Sequence, residues 1–240
     1  MEPIKPYKGK CDYSYTLGAF PTYELINNKP EWVREVYIHS SFTDSEKLKR
    51  LCAEKRIGVF VNDKLISRLS DKENVYVIGV YNKASLPLDE NKSHIMLVNP
   101  GNMGNVGTII RTAIAFGIHN LAIISPGVDI HNPKVVRGSM GALFHMNIEY
   151  FESFSEYEKK YCGNGRECFS FMLTAKEQLN VNNCPKPELF TLIFGNEATG
   201  LPEEYADFTN PIIIPQSDEV DSLNLTIAAG IGMYMFTNRN

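Results

Sequence analysis

Cysteine is scarce in this 240-residue chain, and its spacing is uninformative for metal or disulfide chemistry. The five cysteines (Cys11, Cys52, Cys162, Cys168 and Cys184) are odd in number and form no C-x-x-C pair, which argues against a disulfide framework and against a zinc site. They read as reduced packing thiols, the usage expected in the cytoplasm. No apolar run reaches the roughly 18 residues of a membrane span. The start, Met1-Glu2-Pro3-Ile4-Lys5, lacks the apolar stretch of a secretory signal. No metal and no membrane are therefore expected. Positive charge is not in excess either: the net charge is −4, so a nucleic-acid partner has no whole-chain support, although a local basic face would matter more. No internal repeat or low-complexity tract is present.

What is there is ordinary globular composition, 43% hydrophobic and 22% charged, in a length that suits one large domain or two small ones. Residues 1–10 are polar and proline-bearing and read as a loose arm. From Tyr15 to Tyr81 the pattern predicts a compact α/β module: a helix at 22–28, a strand at 33–39, an amphipathic helix at 44–55 with Leu48, Leu51 and Cys52 inward, and strands at 57–61 and 75–80. The third of these elements presents Lys47, Lys49, Arg50, Lys55 and Arg56, which is either a solvated face or a nucleic-acid contact. Residues 82–93 are polar, carry Pro87 and show no periodicity, as a linker does. Beyond them strands are expected at 94–98, 121–125, 147–151, 169–174, 192–194 and 212–214, with a helix at about 108–116. Strands alternating with helices predict a mostly parallel sheet covered on both faces.

The second half is organised around residues 192–236. Leu192-Ile193-Phe194 and Ile212-Ile213-Ile214 are short apolar runs that end in Gly195-Asn196-Glu197 and Pro215-Gln216-Ser217-Asp218. Open α/β sheets hold ligands at strand C-termini. Ser222-Leu223-Asn224 then opens a helix that Ser222 or Asp221 can cap, with free N–H groups suited to a polar ligand. That helix carries Ala228, Ala229, Gly230 and Gly232. Each helical glycine costs about 1 kcal/mol relative to alanine, so close packing against a neighbour is expected.

The glycine-rich turn after the 94–98 strand is not a dinucleotide fingerprint. Gly101, Gly104 and Gly107 are spaced G-x-x-G-x-x-G, and Ser125-Pro126-Gly127 stands where an acidic residue would be needed. No Gly-Lys-Ser/Thr follows, which excludes a P-loop. Asn105 and Arg111 lie across the expected loop–helix junction. Arg111 sits among Ile109, Ile110, Ala113 and Ile114. It is either one half of a structural ion pair or a guanidinium fork held for a phosphate; Glu197 is its partner, a site residue, or both. Lys134 and Arg137 are phosphate ligands or members of a solvated loop. The five histidines are scattered and read as structural or surface residues.

Three segments, N-P-G-N-M-G-N-V-G-T-I-I-R-T-A, I-F-G-N-E-A-T-G-L-P and I-I-I-P-Q-S-D-E-V-D-S-L-N-L-T-I-A-A, resemble in order the three motifs of the SpoU (TrmH-like) RNA ribose methyltransferases of the SPOUT class. One departure is Asp218, where the third motif has Gly, at the head of an acidic run to Asp221. The resemblance implies an α/β fold with a mostly parallel sheet and a C-terminal trefoil knot, preceded by a small α/β ribosomal-protein-like domain. The implied domains are an RNA substrate-binding domain at 1–86 and a methyltransferase domain at 92–240. It further implies methyl transfer from S-adenosylmethionine to a ribose 2′-OH of structured RNA, ribosomal rather than transfer RNA, by a cytoplasmic homodimer. By motif position, Asn105, Arg111, Glu197, Ser222 and Asn224 match the polar catalytic set. Thr174, Gly195, Asn196, Ile214 and Leu223 match the cofactor cradle. Arg50, Lys55, Arg56, Lys134 and Arg137 are the RNA-binding candidates. The rival expectation is a non-catalytic RNA-binding protein that keeps the fold.

Overall fold

The computed structural model describes residues 4–70 and 74–238; residues 1–3 of the expected arm lie outside them. The chain groups into two units, Met1–Ala84 with Asp129–His145, and Ser85–Val128 with Met146–Asn240. The stretch 129–145, counted above within residues 92–240, thus groups with the first unit.

The first unit runs β1 (Tyr13–Tyr15), α1 (Ala19–Asn28), β2 (Val33–Ile38), α2 (Ser45–Glu54), β3 (Val59–Val61), α3 (Asp63–Leu69) and β4 (Val77–Asn82). Its sheet has the order β1-β4-β2-β3, with β3 parallel to β2 and the other pairs antiparallel. Leu48 and Cys52, four apart on α2, are fully buried against Ile26, Val36 and Val77. Residues 4–10 are not loose. Ile4 is buried, the Tyr7 N–H donates to the Tyr15 hydroxyl at 3.0 Å, and the Tyr7 hydroxyl donates to the Asp129 carboxylate.

The segment Asp129–His145 enters this unit through several polar contacts. Lys83 pairs with Asp129 at 3.2 Å, and Ser14 donates to the His131 carbonyl. His145 Nε2 lies 2.6 Å from Glu24 Oε2. Phe144 meets Tyr81 edge-on at 5.2 Å. Gly141 takes φ +83, and a Cβ there would lie 2.9 Å from the Pro21 backbone, so glycine alone permits this approach to α1.

The second unit contains β5 (His94–Val98), α4 (Met103–Ala115) and β6 (Asn120–Ile124). The chain then passes through α5 (Pro133–Gly138) of the first unit and returns as β7 (Asn147–Phe151). There follow α6 (Phe154–Tyr161), β8 (Glu167–Phe171), β9 (Glu177–Gln178), β10 (Phe190–Phe194), α7 (Tyr205–Phe208), β11 (Asn210–Ile213) and α8 (Leu225–Thr237). The sheet order is β7-β6-β5-β10-β8-β11-β9, and every pairing is parallel. β5, β6 and β10 are buried at every position, as a parallel sheet covered on both faces requires. The expected α/β fold with a mostly parallel sheet is the fold observed.

Two helix starts differ from expectation. α4 begins at Met103, not near Thr108, because the Asn102 side chain accepts from the Gly104 and Asn105 N–H groups at 2.9 and 3.1 Å. Asn105 is therefore inside the helix. α8 is capped by Asn224, which accepts from the Thr226 N–H at 2.8 Å, rather than by Ser222 or Asp221.

Candidate functional site

Three strand ends and one helix entry of the second unit converge on a cleft of about 330 Å³, within the usual size range for a small-molecule site. The apolar wall is Phe171 at the end of β8, Leu173 just beyond it, and Phe194 at the end of β10; Phe171 and Phe194 stack at 4.4 Å. The stack is backed by α8: a Cβ at Gly232 would lie 2.6 Å from the Phe171 ring. This is the close packing that the helical glycines announced. Gly230, by contrast, meets only the Thr112 methyl of α4, at 3.9 Å.

The floor is the turn after β10. Asn196 and Gly200 exchange backbone hydrogen bonds at 3.2 and 2.9 Å, and the Asn196 side chain donates to the Asn99 carbonyl at 2.7 Å. The loop crosses Gly195 so closely that a Cβ there would lie 2.2 Å from the Gly200 carbonyl carbon. Ile214 and Leu223 complete the lining. Among the described residues their peptide groups make no hydrogen bond, which leaves backbone donors and acceptors open to a ligand.

Glu197 bridges this turn to the start of α4. It accepts from the Gly101 and Asn102 N–H groups and from Asn105 Nδ2, each at 3.2 Å. Burial raises its pKa, but hydrogen bonds from its own N–H, Gly101, Asn105 and Asn102 outweigh this and hold the carboxyl below the usual range. An ionised carboxylate at a helix N-terminus also complements the helix dipole.

The other candidates fall in different places. Ser222 lines the cleft, whereas Asn224 is spent on the α8 cap. Arg111 is exposed, and among the described residues it has no hydrogen-bond or ion-pair partner; it is not bonded to Glu197. Six residues along α4 separate it from Asn105 by about 9 Å and about 120° of rotation, so the two do not share a face. Thr174 does not line this cleft. It lies on a neighbouring hollow with Lys176 and Asn210, because the strand end reaches the cleft three residues earlier, at 171–173. Sequence reasoning missed Phe171 and Leu173; their signal was the apolar run ending β8. Arg50, Lys55, Arg56, Lys134 and Arg137 are all exposed, and all belong to the first unit. Lys134 and Arg137 share one face of α5, not a loop. Among the described residues no cluster of three or more His, Cys, Asp or Glu side chains is placed to hold a metal, and no helix is long and apolar enough to cross a membrane.

The model of the SpoU rRNA Methylase family matches residues 92–234. An uncharacterized tRNA/rRNA methyltransferase of Synechocystis sp. is 32% identical over 132 residues, 55% of this chain and 47% of its own length. The 23S rRNA (guanosine(2553)-2′-O)-methyltransferase RlmP of Bacillus subtilis is 29% identical over 132 residues, 55% of this chain and 52% of its own length. The chain thus spans about half the length of these curated relatives. Among solved structures, the SpoU methyltransferase AviRb from Streptomyces viridochromogenes in complex with the cofactor AdoMet aligns with a TM-score of 0.81 at 22% identity, over 95% of this chain and 90% of that one. That likeness is one of fold.

Proposed function

We propose, from the premise that this chain belongs to the SpoU rRNA methylase family, that it methylates a ribose 2′-OH of RNA with S-adenosylmethionine as methyl donor. The observation that carries the reading is the cleft itself, with Gly195 on its floor, open peptide groups at Ile214 and Leu223, and a stacked aromatic wall. These features suit a flat nucleoside with a polar tail: Phe171, Leu173 and Phe194 take the apolar face, and Ile214 and Leu223 offer backbone groups to the edges. Bound there, S-adenosylmethionine supplies a methyl group already activated on a sulfonium, so the protein's task is alignment.

Arg111 holds an RNA phosphate and orients the hydroxyl; a guanidinium stays protonated and is no base. Glu197 fixes the turn and Asn105, and with its pKa lowered it does not take the hydroxyl proton, which leaves to solvent. Arg111 lies outside the cleft lining of its own chain, and we assign the completing Arg111 to a second copy in a homodimer. Supporting this, Thr108, Arg111, Thr112 and Ala115 form one stripe of α4, and α8, which packs on α4, leaves Ile227 53% and Tyr234 51% exposed. The trefoil knot belongs to the same proposal; β10, late in the chain, sits between β5 and β8.

The first unit is proposed to bind the RNA substrate. It carries all five basic candidates, and Phe60 on edge strand β3 is 48% exposed beside Tyr37, 5.8 Å away. Exposed aromatics among cations suit unpaired bases and phosphates. Ribosomal RNA in the cytoplasm is the proposed setting, supported by the RlmP relationship. The test is transfer of radiolabelled methyl to ribosomal and transfer RNA pools beside calorimetry with S-adenosylmethionine. Arg111→Ala should bind cofactor and melt normally, yet transfer nothing, and Arg111→Lys should recover little. A stable Arg111→Ala protein with the wild-type rate would overturn the assignment, as would a wild type that binds no cofactor.

A further inference from the structure

Outside the cleft, the second unit holds a buried cation that lacks a carboxylate. Arg166 is 6% exposed. Its guanidinium donates to three carbonyls, those of Tyr161 at 3.1 Å, Phe190 at 3.1 Å and Glu90 at 2.8 Å. Among the described residues it forms no ion pair. A buried arginine is almost always paired with a negative group. Its charge acts on four titratable side chains, His94, Tyr157, Cys162 and Cys168. Burial, and then the Arg166 charge, push the His94 imidazole down to about 4, so it is neutral. Burial pushes the Tyr157 phenol well up, so it is neutral too.

The other two of these groups are sulfurs. Cys162, at the C-terminal cap of α6, is partly exposed. Cys168, on β8, is buried, and the two Sγ atoms lie 3.6 Å apart. The accessible sulfur is the one whose pKa is lowered, by the hydrogen bond from Cys168 and then by the Arg166 charge.

We propose that Cys162 and Cys168 are a peroxide-reactive dithiol, with Cys162 as the attacking sulfur and Cys168 as the resolving one. The hydrogen bond from Cys168, and then the Arg166 charge, lower the Cys162 pKa against its burial, while the same bond and burial raise Cys168. The Cys162 thiolate attacks one oxygen of hydrogen peroxide. The O–O bond breaks, the departing hydroxide takes a proton and leaves as water, and Cys162 becomes a sulfenic acid. The Cys168 sulfur then attacks the Cys162 sulfur, the S–O bond breaks, and a second water leaves with the Cys168 proton. Two thiols and one peroxide thus give one disulfide and two waters. The sulfurs need to close from 3.6 Å to about 2.05 Å, a side-chain movement. Two of the other three thiols are poorly suited to compete, because burial pushes Cys52 up to about 11 and raises Cys184 as well; Cys11 is partly exposed but, among the described residues, has no second cysteine in contact.

The test uses the full-length reduced protein, hydrogen peroxide in slight excess, and tryptic mass mapping. Arg166 lies between the two cysteines, so trypsin separates peptide 161–166 from peptide 167–176. Only a Cys162–Cys168 disulfide joins them within a monomer. The expected result is a linked pair that dithiothreitol reverses, with Cys52 and Cys184 unmodified. In Cys168→Ser, dimedone should trap a sulfenic acid on Cys162. In Cys162→Ser, Cys168 should stay reduced, and matching melting curves would show that both variants fold. Absence of the linked pair, or a sulfenic acid forming on Cys168 rather than Cys162, would overturn the proposal. Equal oxidation of all five cysteines would do the same.

Discussion

Gly195→Ala adds one methyl group at the floor of the cleft, and the structure says what it meets. The new Cβ would lie 2.2 Å from the Gly200 carbonyl carbon, 2.4 Å from its oxygen and 2.4 Å from the Leu201 nitrogen. All three atoms are backbone, so no rotamer change relieves the overlap. The far side of the turn has to retreat by more than about 1 Å to reach ordinary contact. That movement stretches the paired bonds between Asn196 and Gly200. Overpacking costs about 1–3 kcal/mol, and weakening two bonds worth about 1 kcal/mol each adds to it. A loss of about 2–4 kcal/mol lowers the Tm of a chain this long by roughly 5–15 °C. Because the turn is the cleft floor, affinity for S-adenosylmethionine should fall at least tenfold, which is about 1.4 kcal/mol. Gly117→Ala is the matched control. Gly117 has φ +74 with nothing within 4 Å of its Cβ, and it does not line the cleft. It should lose about 1–2 kcal/mol of stability from backbone strain alone and keep its affinity. Calorimetry and thermal melts on both variants decide the matter. Wild-type affinity and Tm in Gly195→Ala would refute the reasoning, and equal affinity losses in both variants would show that stability, not the floor, is being read.

Two further outcomes are expected. Gly232→Ala places a Cβ 2.6 Å from the Phe171 ring, so it should weaken cofactor binding from behind the wall while Gly230→Ala leaves it unchanged; identical titrations for the two would remove the wall from the argument. Acid should destabilise both units, because burial pushes His94 in the second unit and His131 in the first down to about 4. Their folded pKa values lie below the unfolded value of about 6.5, so their contribution is complete above that pH and is lost as pH falls toward 4. Each should subtract about 2 kcal/mol by pH 5. Urea denaturation at pH 7 and 5 reads this, and a His94→Gln/His131→Gln protein with the same pH slope as wild type would count against it.

The sheet of the second unit was legible because β5, β6 and β10 are continuous apolar runs, the mark of strands buried on both faces. The strand expected at 94–98 has those limits in the structure. Helix starts were harder to read. Gly104 and Gly107 suggested a loop, whereas the Asn102 cap and burial of Val106, Ile109 and Ile110 carry the helix through them. Arg111 was misjudged in its surroundings for a related reason. Its neighbours in sequence are apolar, but one turn away along the helix surface lie Thr108 and Ala115, which are exposed. The Glu197–Asn105 contact joins two motifs that were each expected to be part of a site. The grouping of 129–145 was not expected, because its partners Tyr7, Ser14 and Glu24 lie more than 100 residues away in sequence and no local pattern encodes such a pairing.

That grouping has a consequence for biosynthesis and for domain exchange. The first unit is assembled from two lengths of chain, so a ribosome has made all of β1 to β4 before the residues that complete their packing exist. Until His145 emerges, Tyr81 lacks His131 and Phe144, and Ser14 and Tyr7 lack their acceptors. The unit should therefore mature late, after β5, α4 and β6 are already synthesised. A cut in the linker would split one core rather than separate two proteins. A piece beginning at residue 92 would carry Val135, Val136, Leu143 and Phe144, all buried in the intact chain, without the surface that covers them. The unit that reads as a detachable module along the sequence is not a cassette that can be moved between enzymes by a single junction.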